Sequence, residues 1–363
     1  MEIYIILIML VLALPLVTKC LNIERSRREK IIAFTSMLMI FLLLALKKDT
    51  VGIDIAGYKK AYDASQYFNW DNYSYYHFEK GFVFLMMIFS KAGISFQGFA
   101  AFLYIIWCSA IYLLIHRYSK NATLSVLFFI CYQFFEFSVS GLRQTLAMSL
   151  CIFSMHLCFS PKLVNKILSL ALIVLASTMH ESAIVFLAIP VIIWFLKGRV
   201  HITAWIVLLM ASYVFRGPIW AIVNLLFDES KTEVTLAGSF AFLTGMTIFA
   251  CFTCCGKRNV RNVLIRSSGA QDDNLDEFDA FTVRVLFLCL IFNIVFSGGT
   301  MLRAAMYYML LLVPGIPNMI SKYEVNMRVL LNTALAGFLI ALFYFESLVI
   351  NWLELWPYQF FWQ

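Results

Sequence analysis

Residues 122–159, ATLSVLFFICYQFFEFSVSGLRQTLAMSLCIFSMHLCF, decide the fold class of this 363-residue chain. They hold two apolar runs, 122–139 and 142–159, each close to the roughly 17–25 residues that cross the hydrocarbon of a bilayer as a helix. In lipid every backbone polar group must find its partner inside the chain, and over so long an apolar run a helix does this within one segment. Between the runs stands SGLRQ (140–144), where a cation, Arg143, marks a helix start in otherwise apolar surroundings.

The pattern repeats outward from there. Apolar runs recur at about 1–18, 31–46, 81–92, 98–115, 167–179, 182–196, 201–216, 238–255, 281–297, 303–320 and 329–345, so the sequence predicts an all-α polytopic membrane helix bundle of twelve to thirteen transmembrane segments, a single integral membrane domain over 1–363. Composition agrees: 62% of residues are hydrophobic and 13% charged, with a mean hydropathy of +0.83. That leaves too little charged surface for a water-soluble enzyme, a nucleic-acid binder or a disordered scaffold. The net charge of +7 therefore reads as orientation. The nine cysteines lie mostly inside apolar runs and suggest no disulfides. Glu2 precedes the first run and Lys19–Lys30 follow it, which fits a retained helix with its N-terminus outside better than a cleaved signal.

Basic residues gather in alternate connections: Lys19–Lys30, Arg117/Lys120, Lys162/Lys166, Lys197/Arg199, Lys257–Arg266 and Lys322/Arg328. By the positive-inside rule these six are cytoplasmic. All six fit only if 81–115 crosses an odd number of times, so 81–97, interrupted by Gly93 and followed by Gly98, is expected to be re-entrant or interfacial; a full span there is the alternative. Residues 47–80 then form a long extracytoplasmic loop, 217–237 an extracytoplasmic interfacial segment, and 256–280 a cytoplasmic loop. The Trp- and Tyr-rich tail after Asn351 suits an aromatic anchor at headgroup level.

This topology gathers the unusual polar residues on one side. Asp54, Tyr58, Glu79, Arg143, Gln144, His180, Glu181, Arg303 and Tyr307 lie in, or within a turn of, extracytoplasmic helix ends. Arg143 and Arg303 contravene the positive-inside preference, and an Arg near hydrocarbon is by default a functional residue. A guanidinium fork suits a bidentate anion such as phosphate or diphosphate. His180 joins two apolar runs, where an imidazole can take a proton from a hydroxyl near neutral pH; a satisfied turn histidine is the alternative. No glycine-rich phosphate loop is present, and Ile184 stands where a zinc-binding helix would carry its second His. Cys251, Cys254 and Cys255 lack the partners for a four-ligand metal site. The acidic run 272–279 is expected to precede a helix starting near Phe281.

Six motifs in order, GIDIAGYKKAY (52–62), EKGF (79–82), GLRQTLA (141–147), HESA (180–183), LRAAMYY (302–308) and WPYQFFW (356–362), resemble the EpsG family of bacterial membrane proteins, which are similar to Wzy-type polysaccharide polymerases. The resemblance implies a GT-C-like glycosyltransferase of the bacterial inner membrane with its active site facing outward. It would join undecaprenyl-diphosphate-linked oligosaccharide repeat units into capsular, O-antigen or exopolysaccharide chains. No nucleotide sugar, cofactor or metal is implied. Lipid and the lipid-linked glycan are the expected partners, with a chain-length regulator and a flippase as accessories, and no nucleic acid. Carried onto this chain, His180, Arg143, Arg303, Asp54 and Glu79 are the candidate catalytic residues. Tyr58, Tyr62, Gln144, Tyr307 and Tyr358 are the candidate substrate contacts. Competing readings are a polysaccharide ligase or acyltransferase, and a flippase for lipid-linked oligosaccharide.

Overall fold

The computed structural model describes residues 2–196, 200–227, 237–255, 273–296 and 304–363. Its described residues are helical in the main and form no named strand. Among the described residues four helices are long and apolar enough to cross a membrane: Glu2–Cys20, Phe96–Tyr118, Glu277–Val295 and Val325–Ile350. Five shorter apolar helices accompany them, Leu163–Met179, Glu181–Phe195, Ile202–Val214, Phe242–Thr253 and Met306–Ser321. The protein is an all-α polytopic membrane bundle.

The chain divides into two compact units, and the first comprises Met1–Arg117, Asn121–Ile184 and Thr333–Gln363. Its helices are α1 (Glu2–Cys20), α2 (Arg25–Ala45), α3 (Ile55–Ser65), α4 (Lys80–Lys91), α5 (Phe96–Tyr118), α6 (Ala122–Cys131), α7 (Phe134–Ser140), α8 (Leu142–Cys158) and α9 (Leu163–Met179). The apolar run at 122–139 is therefore not one straight span. It breaks between α6 and α7 with a bend of 51°, because Gln133 adopts a left-handed conformation, φ 65°, that no helix can continue. Likewise 81–97 is not one segment. α4 has 12 residues, about 18 Å of helix against roughly 30 Å of hydrocarbon, and it stops at Gly93, whose φ of +75° favours glycine.

The loop 47–80 is built, not open: it contains α3 and a 3-10 turn, Trp70–Tyr75. The tail after Asn351 closes back on the start of this loop. Lys48 N donates to Gln359 O at 2.8 Å, Phe361 N to Leu46 O at 2.9 Å and Gly52 N to Glu354 O at 3.2 Å. Tyr4 OH donates to Leu355 O at 2.8 Å, and the Tyr4 ring meets Phe135, Phe343 and Tyr358 edge-on. Only Trp352, Phe361 and Trp362 of the tail remain as exposed large rings, so the anchor expected there is in part a clasp.

The second unit, Tyr118–Lys120 and Val185–Asn332, is organised around the helix Asp273–Val295, which packs against Ile202–Val214, Ala237–Cys255 and Leu312–Ser321. That helix buries Phe281, Val283, Val285, Leu286 and Leu290 around its girth, together with the polar Thr282, Arg284 and Asn293, as fits a helix enclosed by others. Gly315 permits the closest approach: a Cβ there would lie 2.4 Å from Thr282 Cγ2. The helix begins at Asp273, eight residues before the expected start near Phe281. The buried Asp279 carboxylate in this helix pairs with the Lys322 ammonium. Of the expected 256–280 loop, 256–272 lie outside the described residues. The 217–237 segment carries the helix Arg216–Phe227, with 228–236 outside the described residues.

Candidate functional site

Two helix ends cross to make the site. Gly81, in the first turn of α4, faces Thr178 near the end of α9, where a Cβ would sit 2.4 Å from Thr178 Oγ1 and 2.7 Å from its carbonyl oxygen. The hydrogen atom of glycine lets the backbones touch. Glu79 caps the N-terminus of α4 and His180 terminates α9 in an extended conformation, so the crossing presses one against the other. His180 Nδ1 lies 2.7 Å from Glu79 Oε1, which also accepts the Glu181 backbone N–H at 3.2 Å.

The second carboxylate oxygen holds the cation. Arg143, in the first turn of α8, donates from Nη1 to Glu79 Oε2 at 2.5 Å and from Nε to the Tyr58 hydroxyl at 3.2 Å. Its guanidinium carbon lies 4.4 Å from the centre of the Phe78 ring, and that ring stacks on Tyr58 at 5.2 Å. An aromatic face beneath a guanidinium attracts it and fixes its plane. Gly141 lets α8 start there, since a Cβ would strike the Phe137 ring at 2.6 Å. The side chains of Arg143 and His180 keep 23% and 22% exposure, so both remain reachable from outside the protein.

Asp54 stands at the edge of this cluster. Gly52, with φ +102°, brings the chain onto the Val139 carbonyl, and the Asp54 backbone N–H then donates to Ser140 Oγ at 3.0 Å while that hydroxyl donates to Asp54 Oδ2 at 3.3 Å. Its bonded partner is thus Ser140, two residues before α8 delivers Leu142 and Arg143.

Electrostatics separate the roles. Burial pushes the Glu79 carboxyl up, but the His180 hydrogen bond and the charges of Arg143 and His180 outweigh it and hold the group at about 2. A depressed carboxylate contributes stability in full above its ordinary value of 4.5, and that contribution is lost as pH falls toward about 2. The difference in thermal unfolding between wild type and Glu79→Gln in lipid nanodiscs is therefore expected to persist down to about pH 4.5 and to narrow below it. Burial likewise raises the Tyr58 hydroxyl, with Arg143 opposing, so it stays a neutral phenol.

Sequence-level candidates separate accordingly. Arg143, Glu79, His180 and Tyr58 meet in one cluster, with Asp54 beside it. Tyr62 is 2% exposed, stacks on Phe99 at 4.9 Å and donates its hydroxyl to Ile94 O, so its ring belongs to the core of the first unit. Tyr358 donates to Leu43 O at 2.9 Å and packs on Tyr4. Gln144 is buried in α8 and Tyr307 is buried in the second unit. Arg303 lies outside the described residues. Phe78 and Ser140 were not among the candidates, although each is adjacent to, or three residues from, one that was. Among the described residues no group of three or more His, Cys, Asp or Glu side chains is arranged to hold a metal ion.

The elements that carry this cluster, from α3 to α9, fall inside a stretch, residues 30–360, that matches the EpsG family model. The chain belongs to the EpsG family. No curated protein and no solved structure matches it. In this EpsG-family protein the Glu79 cluster lies at helix ends, the N-termini of α4 and α8 and the C-terminus of α9.

Proposed function

We propose that the protein is a membrane glycosyltransferase that polymerises undecaprenyl-diphosphate-linked oligosaccharide repeat units on the extracytoplasmic face of the bacterial inner membrane. Family membership supports a Wzy-type polymerase, and the observation that carries the chemical reading is that one carboxylate, Glu79, holds both a histidine and an arginine. In the neutral imidazole, donation of Nδ1–H to Glu79 leaves the lone pair on Nε2 and makes that atom the proton acceptor, by the same logic that orients ligating and catalytic histidines elsewhere. Glu79 has both oxygens engaged and a strongly acidic carboxyl, which makes it a positioning group and a poor base.

In the reaction, a hydroxyl of the incoming repeat unit attacks the anomeric carbon of the growing chain. The new glycosidic C–O bond forms as the bond from that carbon to the diphosphate oxygen breaks. Undecaprenyl diphosphate leaves with the electron pair, and the hydroxyl proton passes to His180 Nε2. Negative charge grows on the leaving diphosphate, where Arg143 stabilises it more in the transition state than in the ground state. Arg303, in LRAAMYY, is proposed as a second cation for the same group.

Deletion of the gene followed by analysis of lipid-linked intermediates tests this reading. Single repeat units on lipid, exposed on the outer leaflet, are the expected result. Repeats retained on the inner leaflet would indicate a flippase, and long polymer retained on lipid would indicate a ligase.

A further inference from the structure

Between α3 and α4, residues 66–79 read QYFNWDNYSYYHFE, with seven aromatic side chains and no aliphatic one. Part of this aromatic content fastens the segment. Phe68 and Tyr76 are buried ring against ring at 5.5 Å, and the Tyr76 hydroxyl donates to Ala64 O at 3.0 Å. The Tyr73 hydroxyl donates to Phe78 O at 2.6 Å, one residue before Glu79. Asn69 and Asn72 lock the 3-10 turn through reciprocal bonds, Asn72 N to Asn69 Oδ1 at 2.9 Å and Asn69 N to Asn72 Oδ1 at 3.2 Å.

The remaining rings stay exposed, Trp70 packing edge-on against Phe68 at 5.1 Å and Tyr75 against Tyr76 at 5.5 Å. Tyr67, Trp70 and Tyr75 are 75%, 61% and 58% exposed. Exposing large rings forgoes their burial energy, while fixing the backbone beneath them removes the ordering cost that a ligand would otherwise meet. The hydrocarbon of a bilayer does not explain the composition. The apolar helices expose mainly aliphatic side chains, such as Ile6, Leu16, Leu163 and Val207, with a few rings such as Phe34 and Phe195, whereas this turn sets Tyr and Trp rings among Asn69, Asp71 and Ser74. A sugar ring presents an apolar C–H face bordered by hydroxyls, which flat Tyr and Trp faces with neighbouring hydrogen-bonding groups match on both counts.

We infer that the turn carrying Tyr67, Trp70 and Tyr75 is a glycan-binding platform that receives the oligosaccharide of the lipid-linked acceptor beside the Glu79 cluster. The identity of that glycan as an acceptor rests on the polymerase reading above; its binding does not. The probe is the repeat-unit oligosaccharide released from its carrier by mild acid, free of lipid and diphosphate, titrated onto the full-length protein in lipid nanodiscs and followed by ligand-observed NMR. Loss of one stacking ring is expected to weaken binding by up to about tenfold in Trp70→Ala. Trp70→Phe should bind nearly as wild type, Trp70→Leu as weakly as Trp70→Ala, and Tyr67→Ala should show a smaller loss. Trp362→Ala, in the tail, should bind as wild type. No binding to wild type at millimolar glycan, or full binding by Trp70→Leu, would overturn the proposal, the latter by assigning the turn to the lipid interface. Thermal unfolding of each variant separates loss of the platform from loss of fold. If gene deletion leaves polymer intact while the platform still binds glycan, the polymerase reading fails and the binding site stands.

Discussion

Arg143→Ala is expected to abolish polymer and leave single repeat units on lipid, at normal abundance of the protein in the membrane. Three contacts vanish together: the ion pair to Glu79, the hydrogen bond to Tyr58 and the stack on Phe78. Removing one preorganised donor aimed at developing charge costs about 100- to 1,000-fold in rate. Arg143→Lys should recover only part of this, because an ammonium keeps the charge but cannot supply the planar fork that meets Glu79 and Tyr58 at once. The readout is the ratio of polymer to single lipid-linked repeats, with abundance measured by immunoblot. Polymer of wild-type length and yield from Arg143→Ala would refute the assignment.

The second large effect is expected from a residue that touches no substrate. Gly81→Ala inserts a methyl group 2.4 Å from Thr178 Oγ1 and 2.7 Å from the Thr178 carbonyl, and the backbone oxygen cannot rotate away. Relief requires α4 and α9 to separate, at about 1–3 kcal/mol for overpacking of this kind. The same separation draws Glu79 from His180, whose contact spans the two helix ends. A shift on the order of 1 Å at such a contact can cost about 100-fold in rate, so polymer should fall steeply and thermal stability modestly. Gly57→Ala is the matched control. Gly57 lies inside α3 with nothing within 4 Å of the added carbon, and alanine favours a helix interior over glycine by roughly 0.5–1 kcal/mol, so that variant should be as stable as wild type or slightly more so. Equal loss in both variants would show that the α4–α9 crossing is not what holds the site.

Hydrophobic patterning was sufficient for the class of fold, because a bilayer imposes a length and a composition on each crossing that can be read locally. It was less informative about how the apolar runs are used. The 122–139 run counts as one span by composition, yet the left-handed Gln133 divides it; a single polar residue among aromatics carries no period that would reveal a bend. The tail offered the same difficulty. Its Trp and Tyr content reads as an interfacial anchor, whereas Tyr358 and Leu355 are held by hydrogen bonds to α2 and α1, pairings that span more than 300 residues of chain.

The site was legible by residue type more than by arrangement. Two arginines that the expected topology puts on the side the positive-inside rule disfavours, and a histidine between two apolar runs, stood out because charge is scarce in this composition. Tyr62 and Tyr358 looked equivalent to Tyr58 in the motifs, but only Tyr58 meets Arg143. Glu79 entered as one of five candidate catalytic residues; geometry makes it the group that joins Arg143 and His180.

By itself the sequence determined that the chain lives in a membrane as helices, which family it resembles and which few polar residues stand out in an apolar chain. These follow from composition and from contiguous patterns, which act within a turn or a span. Tertiary structure alone decided that Glu79, 64 residues from Arg143 and 101 from His180, bridges the two. That contact depends on a close crossing of α4 and α9 at a glycine, and helix–helix approach is set by side-chain volume on both partners at once, a quantity that no local reading of either segment contains.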